Sequence, residues 1–223
     1  MFNITVKRSI AAILTACVWS VHAVAGAASD EVAFSRSAQI DDVRTVQQMM
    51  EQGIDPNMKE RQRGDPMMVL ALREDSNKVF QLLLEQPKIN LEARSGNGDT
   101  ALMMASYKHN KPAVLALLAK GAQVNQTGWS ALHYAAAAGD DEIVNILLAR
   151  QADLNARSPD QITPLMFAAR EGQDHIVAVL LAAGADATLK SVHGWDAAQF
   201  ARAADKPKIA AVIDAHLKAG GGQ

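Results

Sequence analysis

The sequence predicts an all-α solenoid built from stacked, short helix–turn–helix units, and three observations carry that expectation. The chain has 223 residues, of which 49% are apolar but only 4% aromatic. A core with so few rings and so many alanines favours thin helices that approach closely over a β-sandwich. Three anchors also recur in step. Alanine stands at Ala38, Ala71, Ala105, Ala135, Ala168 and Ala201, at intervals of 33, 34, 30, 33 and 33. A second series runs Met50, Leu84, Leu118, Leu148 and Leu181, and a third Gly53, Pro87, Gly121, Gln151 and Gly184. The short step of 30 appears in all three series and so marks one local deletion. Within each period, apolar residues at helical spacing form two stripes separated by turn residues. The 21% of charged residues, 14 glycines and seven prolines exclude disordered and collagen-like chains.

The first residues read as a leader rather than as part of this stack. Lys7 and Arg8 precede an apolar run from Ile10 to Val21, and small residues follow from Ala23 to Ala28. A positive start, a hydrophobic middle and an A-x-A ending describe a secretory signal peptide over residues 1–25, cleaved before Gly26, with cleavage after Ala25-Gly26-Ala27 or after Ala28 as close variants. A second reading competes with it. Leu14-Thr15-Ala16-Cys17 resembles a lipobox, which would make residues 1–16 a lipoprotein signal and Cys17 a lipid anchor, although apolar Val18, Trp19 and Val21 continue beyond it. Either route places the mature chain in the periplasm or otherwise outside the cytoplasm, free or membrane-anchored. No segment is expected to span a membrane, because the apolar run falls short of the about 20 residues that a spanning helix needs.

Export leaves little covalent help for the fold. Cys17 is the only cysteine, so after ordinary cleavage no disulfide and no Cys-based zinc or redox site can form. Removing residues 1–25 takes away Lys7 and Arg8 and no acid, leaving 20 basic against 24 acidic residues, a net charge of −4. Without a concentrated basic face, nucleic-acid binding is not expected.

One period shows why each unit folds as it does. Thr100 caps a helix that presents Leu102, Ala105 and Ser106 on one face. Lys111-Pro112 opens a second helix, with proline tolerated in its first turn, and Val114, Leu117 and Leu118 form its stripe. Gly121 ends it in a left-handed conformation, and polar residues 125–128 carry the chain out and back. One such helical pair cannot bury its own apolar face, but a stack can.

The motifs Thr-Ala-Leu-Met-x-Ala at 100–105, Ser-Ala-Leu-His-x-Ala at 130–135 and Thr-Pro-Leu-Met-x-Ala at 163–168 resemble the ankyrin-repeat signature T-P-L-H-x-A. The endings at Leu117-Leu118-x-x-Gly121 and Leu180-Leu181-x-x-Gly184 are similar to that family's second-helix terminus. The resemblance, to an exported bacterial type, covers an ankyrin-repeat domain at about residues 32–218, preceded by a linker at 26–31 and followed by a flexible tail at 219–223. It implies an L-shaped solenoid of about six units whose β-turn fingers and first helices form a concave binding face. The outer units depart as caps should: Gln47, Gln48, Asp41 and Asp42 in the first, Asp196 and Asp214 in the last. The finger before the fourth unit is three residues short, because Asn125 precedes Ser130 by five residues while Asn155 precedes Thr163 by eight. That hairpin should be blunt or absent, either as a tolerated loop deletion or as a notch through which a partner reaches Trp129.

No catalytic residue is expected, since H-E-x-x-H, G-x-S-x-G, a P-loop and G-x-G-x-x-G are all missing from the sequence. His133 is the signature histidine, whose role by resemblance is to tie neighbouring units; His109, His175, His193 and His216 are expected at the surface. Met67, Met68, Met103, Met104 and Met166 raise a copper-handling alternative, since exported thioether clusters bind Cu(I), but their places at leucine and histidine positions are explained by packing. No cofactor or metal is therefore assigned. Partner-binding candidates lie where the family varies its recognition residues. The position before each signature holds Asp65, Asp99, Trp129, Ile162 and Trp195. The first-helix exits hold Arg73-Glu74, Tyr107-Lys108 and Arg170-Glu171. Exposed indoles are costly unless covered, so Trp129 is weighed equally as a binding anchor and as packing, and Trp195 more as packing. The expected function is a non-enzymatic, monomeric module of the bacterial envelope that binds one protein partner, as an inhibitor or immunity factor or as an assembly aid. A purely architectural role beneath a lipid anchor at Cys17 is the weaker alternative.

Overall fold

The computed structural model describes residues 29–220. The leader, with Cys17 and both cleavage readings, lies outside the described residues, as do residues 221–223. Twelve helices pair into six units among the described residues. Helix α1 covers 29–39 and pairs with α2 (Val43–Glu51). Then follow α3 (Met67–Arg73) with α4 (Asn77–Leu84), and α5 (Ala101–Tyr107) with α6 (Lys111–Ala119). The last three pairs are α7 (Ala131–Ala138) with α8 (Asp141–Ala149), α9 (Pro164–Glu171) with α10 (Asp174–Ala182), and α11 (Ala197–Ala203) with α12 (Pro207–Gly220). The fingers are turns; one isolated antiparallel bridge, Lys59 with Pro66, is the sole β pairing among the described residues.

Most of these helices are seven to nine residues long. Isolated helices below about 12 residues are marginal in water, so tertiary burial holds them. First helices stack on first helices, α3 on α5, α5 on α7, α7 on α9 and α9 on α11, while α6, α8, α10 and α12 form the second layer. The six alanine anchors are the rungs of the first layer, and each is 0% exposed. With no side chain beyond Cβ they let backbones come close. Leu70, Leu102, Leu132 and Leu165 fill the space beside them.

Local chemistry ends each helix where the sequence indicates. Thr100 accepts from the Met103 N–H, Asn110 from Ala113 and Asp140 from Ile143. Pro112 sits in the first turn of α6. The turn between paired helices always contains one left-handed residue: Asp41, Asp75, His109, Gly139, Gly172 and Asp205 have φ between +55° and +84°. A bond between successive units recurs along the loops that follow the second helices. The Asn90 N–H donates to Asn57, Gln123 to Glu92, Asp153 to Asn125 and Asp186 to Asn155.

Three sequence expectations need correction. Residues 29–31, assigned to a linker, are helical and belong to α1, where Glu31 is held at 2.7 Å by Arg61 from the first finger. Residues 219 and 220, assigned to a flexible tail, continue α12. Pro87 is not the equivalent of Gly121; Lys88 is, because its carbonyl accepts from Asn57 as the Gln151 carbonyl does from Asn125.

Candidate partner-binding face

The short finger has a structural consequence. The other fingers after the first close with a Ser N–H donating to the carbonyl before the next helix cap: Ser95 to Asp99, Ser158 to Ile162 and Ser191 to Trp195, each within 3.0 Å. Glu60 makes the corresponding bond to Asp65. Residues 125–129 make no such closure. Trp129 is consequently half-buried and leans inward, its ring 5.1 Å from Phe167 and 5.3 Å from His133, both edge to face.

Tyr107, Tyr134 and Phe167 extend this cluster across three units. Tyr134 lies 6.2 Å from Tyr107 and 6.4 Å from Trp129, with ring planes 87° and 79° apart. The four rings and Ala137 line a small apolar cavity of ≈ 120 Å³. It adjoins a wider hollow of ≈ 490 Å³ that shares Tyr107, Ala137 and Phe167 and reaches His109, Arg170 and Glu171. The hollow exists because Ala137 and Ala138 stand where the neighbouring units carry Tyr107-Lys108 and Arg170-Glu171. Arg170 holds its guanidinium 4.2 Å from the Phe167 ring centre and pairs with Glu171 at 2.9 Å. Such stacking fixes a long side chain that would otherwise be mobile.

A polar network lies on the N-terminal side of the same face. Arg73 spans Asp65 at 2.9 Å and Asp99 at 3.4 Å, and Arg63 reaches Asp65 at 3.2 Å and Glu74 at 3.0 Å. The Tyr134 hydroxyl donates to the Asp99 carboxylate. Burial, with the Asp99 carboxylate beside it, pushes the Tyr134 phenol far above its ordinary pKa, so it remains a donor. Lys108 is occupied by Asp75 at 2.8 Å and by the Arg73 carbonyl.

The sequence-derived candidates therefore divide. Tyr107 and Trp129 line the small cavity, Tyr107, Arg170 and Glu171 the hollow that adjoins it, and Tyr107 is 53% exposed. Arg73, Glu74 and Lys108 line neither space and are held in ion pairs. Asp65 and Asp99 are 1% and 5% exposed and face inward to arginine and tyrosine, which closes them to a partner and corrects their assignment as contact residues. Ile162 is half-buried, and its carbonyl accepts from His133. Trp195 stands apart on the last finger, 42% exposed and edge to face with Phe200 at 5.5 Å. Tyr134 and Phe167, absent from those candidates, are walls of the small cavity. Both occupy the variable x of T-P-L-H-x-A, one period apart, and that coincidence is the signal that identifies them.

His133 plays the part that the resemblance implied. Its Nδ1 accepts from the Ser130 N–H, and its Nε2 meets the Ile162 carbonyl of the next unit at 2.9 Å. Desolvation dominates and lowers its pKa to about 4, against the opposing pull of the Ile162 carbonyl. In unit five the Met166 sulfur takes the place of Nδ1, 3.4 Å from the Thr163 N–H. The other methionines raised as copper ligands, Met67, Met68, Met103 and Met104, are at most 3% exposed, and Met67, Met68 and Met104 belong to the continuous apolar core. Their placement is that of packing residues. No His/Cys/Asp/Glu cluster able to hold a metal ion occurs among the described residues.

This geometry belongs to a known architecture. A family model described as ankyrin repeats (3 copies) matches residues 34–128, 67–158 and 120–191, together well over half of the chain. The chain belongs to the ankyrin-repeat family. It is similar to Rabankyrin-5 of Mus musculus, at 34% identity over 127 residues, 54% of this chain and 11% of that protein. It is also similar to transient receptor potential cation channel subfamily A member 1 of Homo sapiens, at 29% over 134 residues, 55% of this chain and 12% of that protein. Neurogenic locus notch homolog protein 1 of Xenopus tropicalis is 30% identical over 138 residues, 60% of this chain and 5% of its own length. The chain thus spans only a small part of the curated relatives it matches. The repeats support a protein–protein interaction module, in a family that is generally non-enzymatic. No helix among the described residues is long and apolar enough to cross a membrane.

Proposed function

We propose that this protein is a non-enzymatic interaction module of a bacterial envelope, holding one protein partner against its fingers and first helices. The observation that carries the reading is the small cavity across units three to five, where four aromatic side chains converge beside Ala137, adjoining the wider hollow left by Ala137 and Ala138. Large rings at a concave surface supply most of the binding energy in protein interfaces, and the hollow offers them a pocket. Beside them, the Arg170–Glu171 pair provides a polar rim already held in place. The leader-like N-terminus supports export, and inhibition of a secreted enzyme or assistance in envelope assembly are the roles that fit it.

The test starts with the partner isolated from the native envelope and identified, followed by titration against wild type and Trp129→Ala. Truncation at a hot spot costs about 2 kcal/mol, roughly thirtyfold in Kd. An affinity within twofold of wild type rejects Trp129 as the anchor. Mass spectrometry of the mature N-terminus tests the export reading. A chain starting at Gly26 or Ser29, or at a lipidated Cys17, supports it; a cytoplasmic chain that retains Met1 overturns it.

A further inference from the structure

The aromatic cluster on the first-helix face has a direction. At one end Phe167 is capped by the Arg170 guanidinium, 4.2 Å from its ring centre, and that cation is neutralised by Glu171. At the other end Tyr107 is 53% exposed, and no cation is stacked on it among the described residues. Between them the rings meet at 79° to 87°, so faces as well as edges line the ≈ 120 Å³ cavity. A π face carries partial negative charge, and the cluster already demonstrates its preference by holding one guanidinium. The surroundings reinforce it: Tyr134 donates its hydroxyl proton to the Asp99 carboxylate, which enriches that ring in electron density. The whole chain is acidic, at net −2.

We infer that the open, Tyr107 end of this cluster receives an arginine or lysine side chain from the protein partner, so that the segment gripped there is basic. This rests on the proposed interaction function and specifies its chemistry. The partner's cation seats against Tyr107 and Trp129, and its methylene stem crosses the Ala137 floor; Glu171, on the rim of the adjoining hollow, is already paired with Arg170, so the ring faces carry the attraction. A cation buried in an apolar cavity without such faces would be excluded by its desolvation cost. Ring faces at the open, exposed Tyr107 end, where the head group stays close to water, offset that cost, whereas an acidic side chain would meet π density and be rejected.

The probes are four capped pentapeptides, Gly-Gly-Xaa-Gly-Gly, with arginine, lysine, norleucine or glutamate at the centre. They are titrated into the full chain while the Trp129 indole N–H resonance is followed, assigned through its loss in Trp129→Phe. The arginine and lysine peptides are expected to shift that resonance saturably, at least tenfold more tightly than norleucine, with glutamate silent. Tyr107→Ala, at an exposed position that leaves the fold intact by circular dichroism, should weaken both cationic peptides at least fivefold, and Tyr107→Phe should restore them. Equal or tighter binding of norleucine overturns the inference in favour of an apolar anchor, and no shift with any peptide overturns it outright. Both outcomes leave the interaction function standing. That reading fails separately, when the purified partner binds Trp129→Ala and Tyr107→Ala as tightly as wild type.

Discussion

His133 joins unit four to unit five through a 2.9 Å contact with the Ile162 carbonyl, and it is 0% exposed. Burial moves its pKa from 6.5 to about 4. The neutral ring is therefore the form that the native state prefers, and the folded protein binds this proton less readily than the unfolded chain. The stability that follows is complete above pH 6.5 and disappears as the pH falls from 6.5 through about 4. At about 1.4 kcal/mol per tenfold change, the full interval is worth about 3 kcal/mol. Total stabilities of domains are about 5–15 kcal/mol, so the loss is large enough to measure. The informative variant is His133→Met, because Met166 shows that a thioether in this place still accepts the cap N–H. Urea unfolding at pH 7.5, 5.5 and 4.5, followed by circular dichroism and tryptophan fluorescence, compares the two proteins. At pH 7.5 the variant should be about 1 kcal/mol less stable, having lost the bond to Ile162. Between pH 7.5 and 4.5 wild type should lose about 2–3 kcal/mol more than the variant. Parallel pH profiles would refute the assignment of this titration to His133.

Other consequences of the stack can be checked by thermal and urea unfolding. Ala135 is 0% exposed between the helices that carry Ala105 and Ala168, so Ala135→Leu should overpack it and cost about 1–3 kcal/mol; a cost under about 0.5 kcal/mol would contradict close stacking. Gly139 and Gly121 both have positive φ, but a Cβ at Gly139 would run into the Gln173 side-chain amide, whereas Gly121 faces open space. Gly139→Ala should thus displace Gln173 from the Ala137 carbonyl and cost about 1 kcal/mol more than Gly121→Ala, and equal costs would deny that coupling. Gln151 holds φ +61° where the third and fifth units have glycine. Gln151→Gly should stabilise by about 0.5–1 kcal/mol, read as a raised Tm, and an unchanged or lowered Tm would rule out strain there.

Much of this fold was legible because helix starts, stops and faces depend on residues only a few positions apart. Thr100, Asn110 and Pro112 announce their helices directly, and the alanine rungs recur visibly along the chain. The blunt finger was legible too, from three residues missing between Asn125 and Ser130. The misreadings arose where local chemistry allowed two outcomes. Proline in place of glycine at position 87 hid the one-residue displacement to Lys88. Asp65 and Asp99 stand at the variable finger base like Trp129, and nothing in their spacing shows that Arg73 lies between them.

The sequence by itself determined the repeat, its helices, its buried alanine face and the identity of the residues offered at the fingers and first-helix exits. Only the tertiary structure decided which of those residues meet. Arg73 with Asp99, Tyr134 with Asp99 and Trp129 with Phe167 join residues 26 to 38 positions apart in neighbouring units. Their contact depends on how one unit sits on the next and on side-chain direction across that junction. A short period fixes which face is apolar; distances across stacked units are set by three-dimensional packing, where a missing finger and two alanines open a hollow.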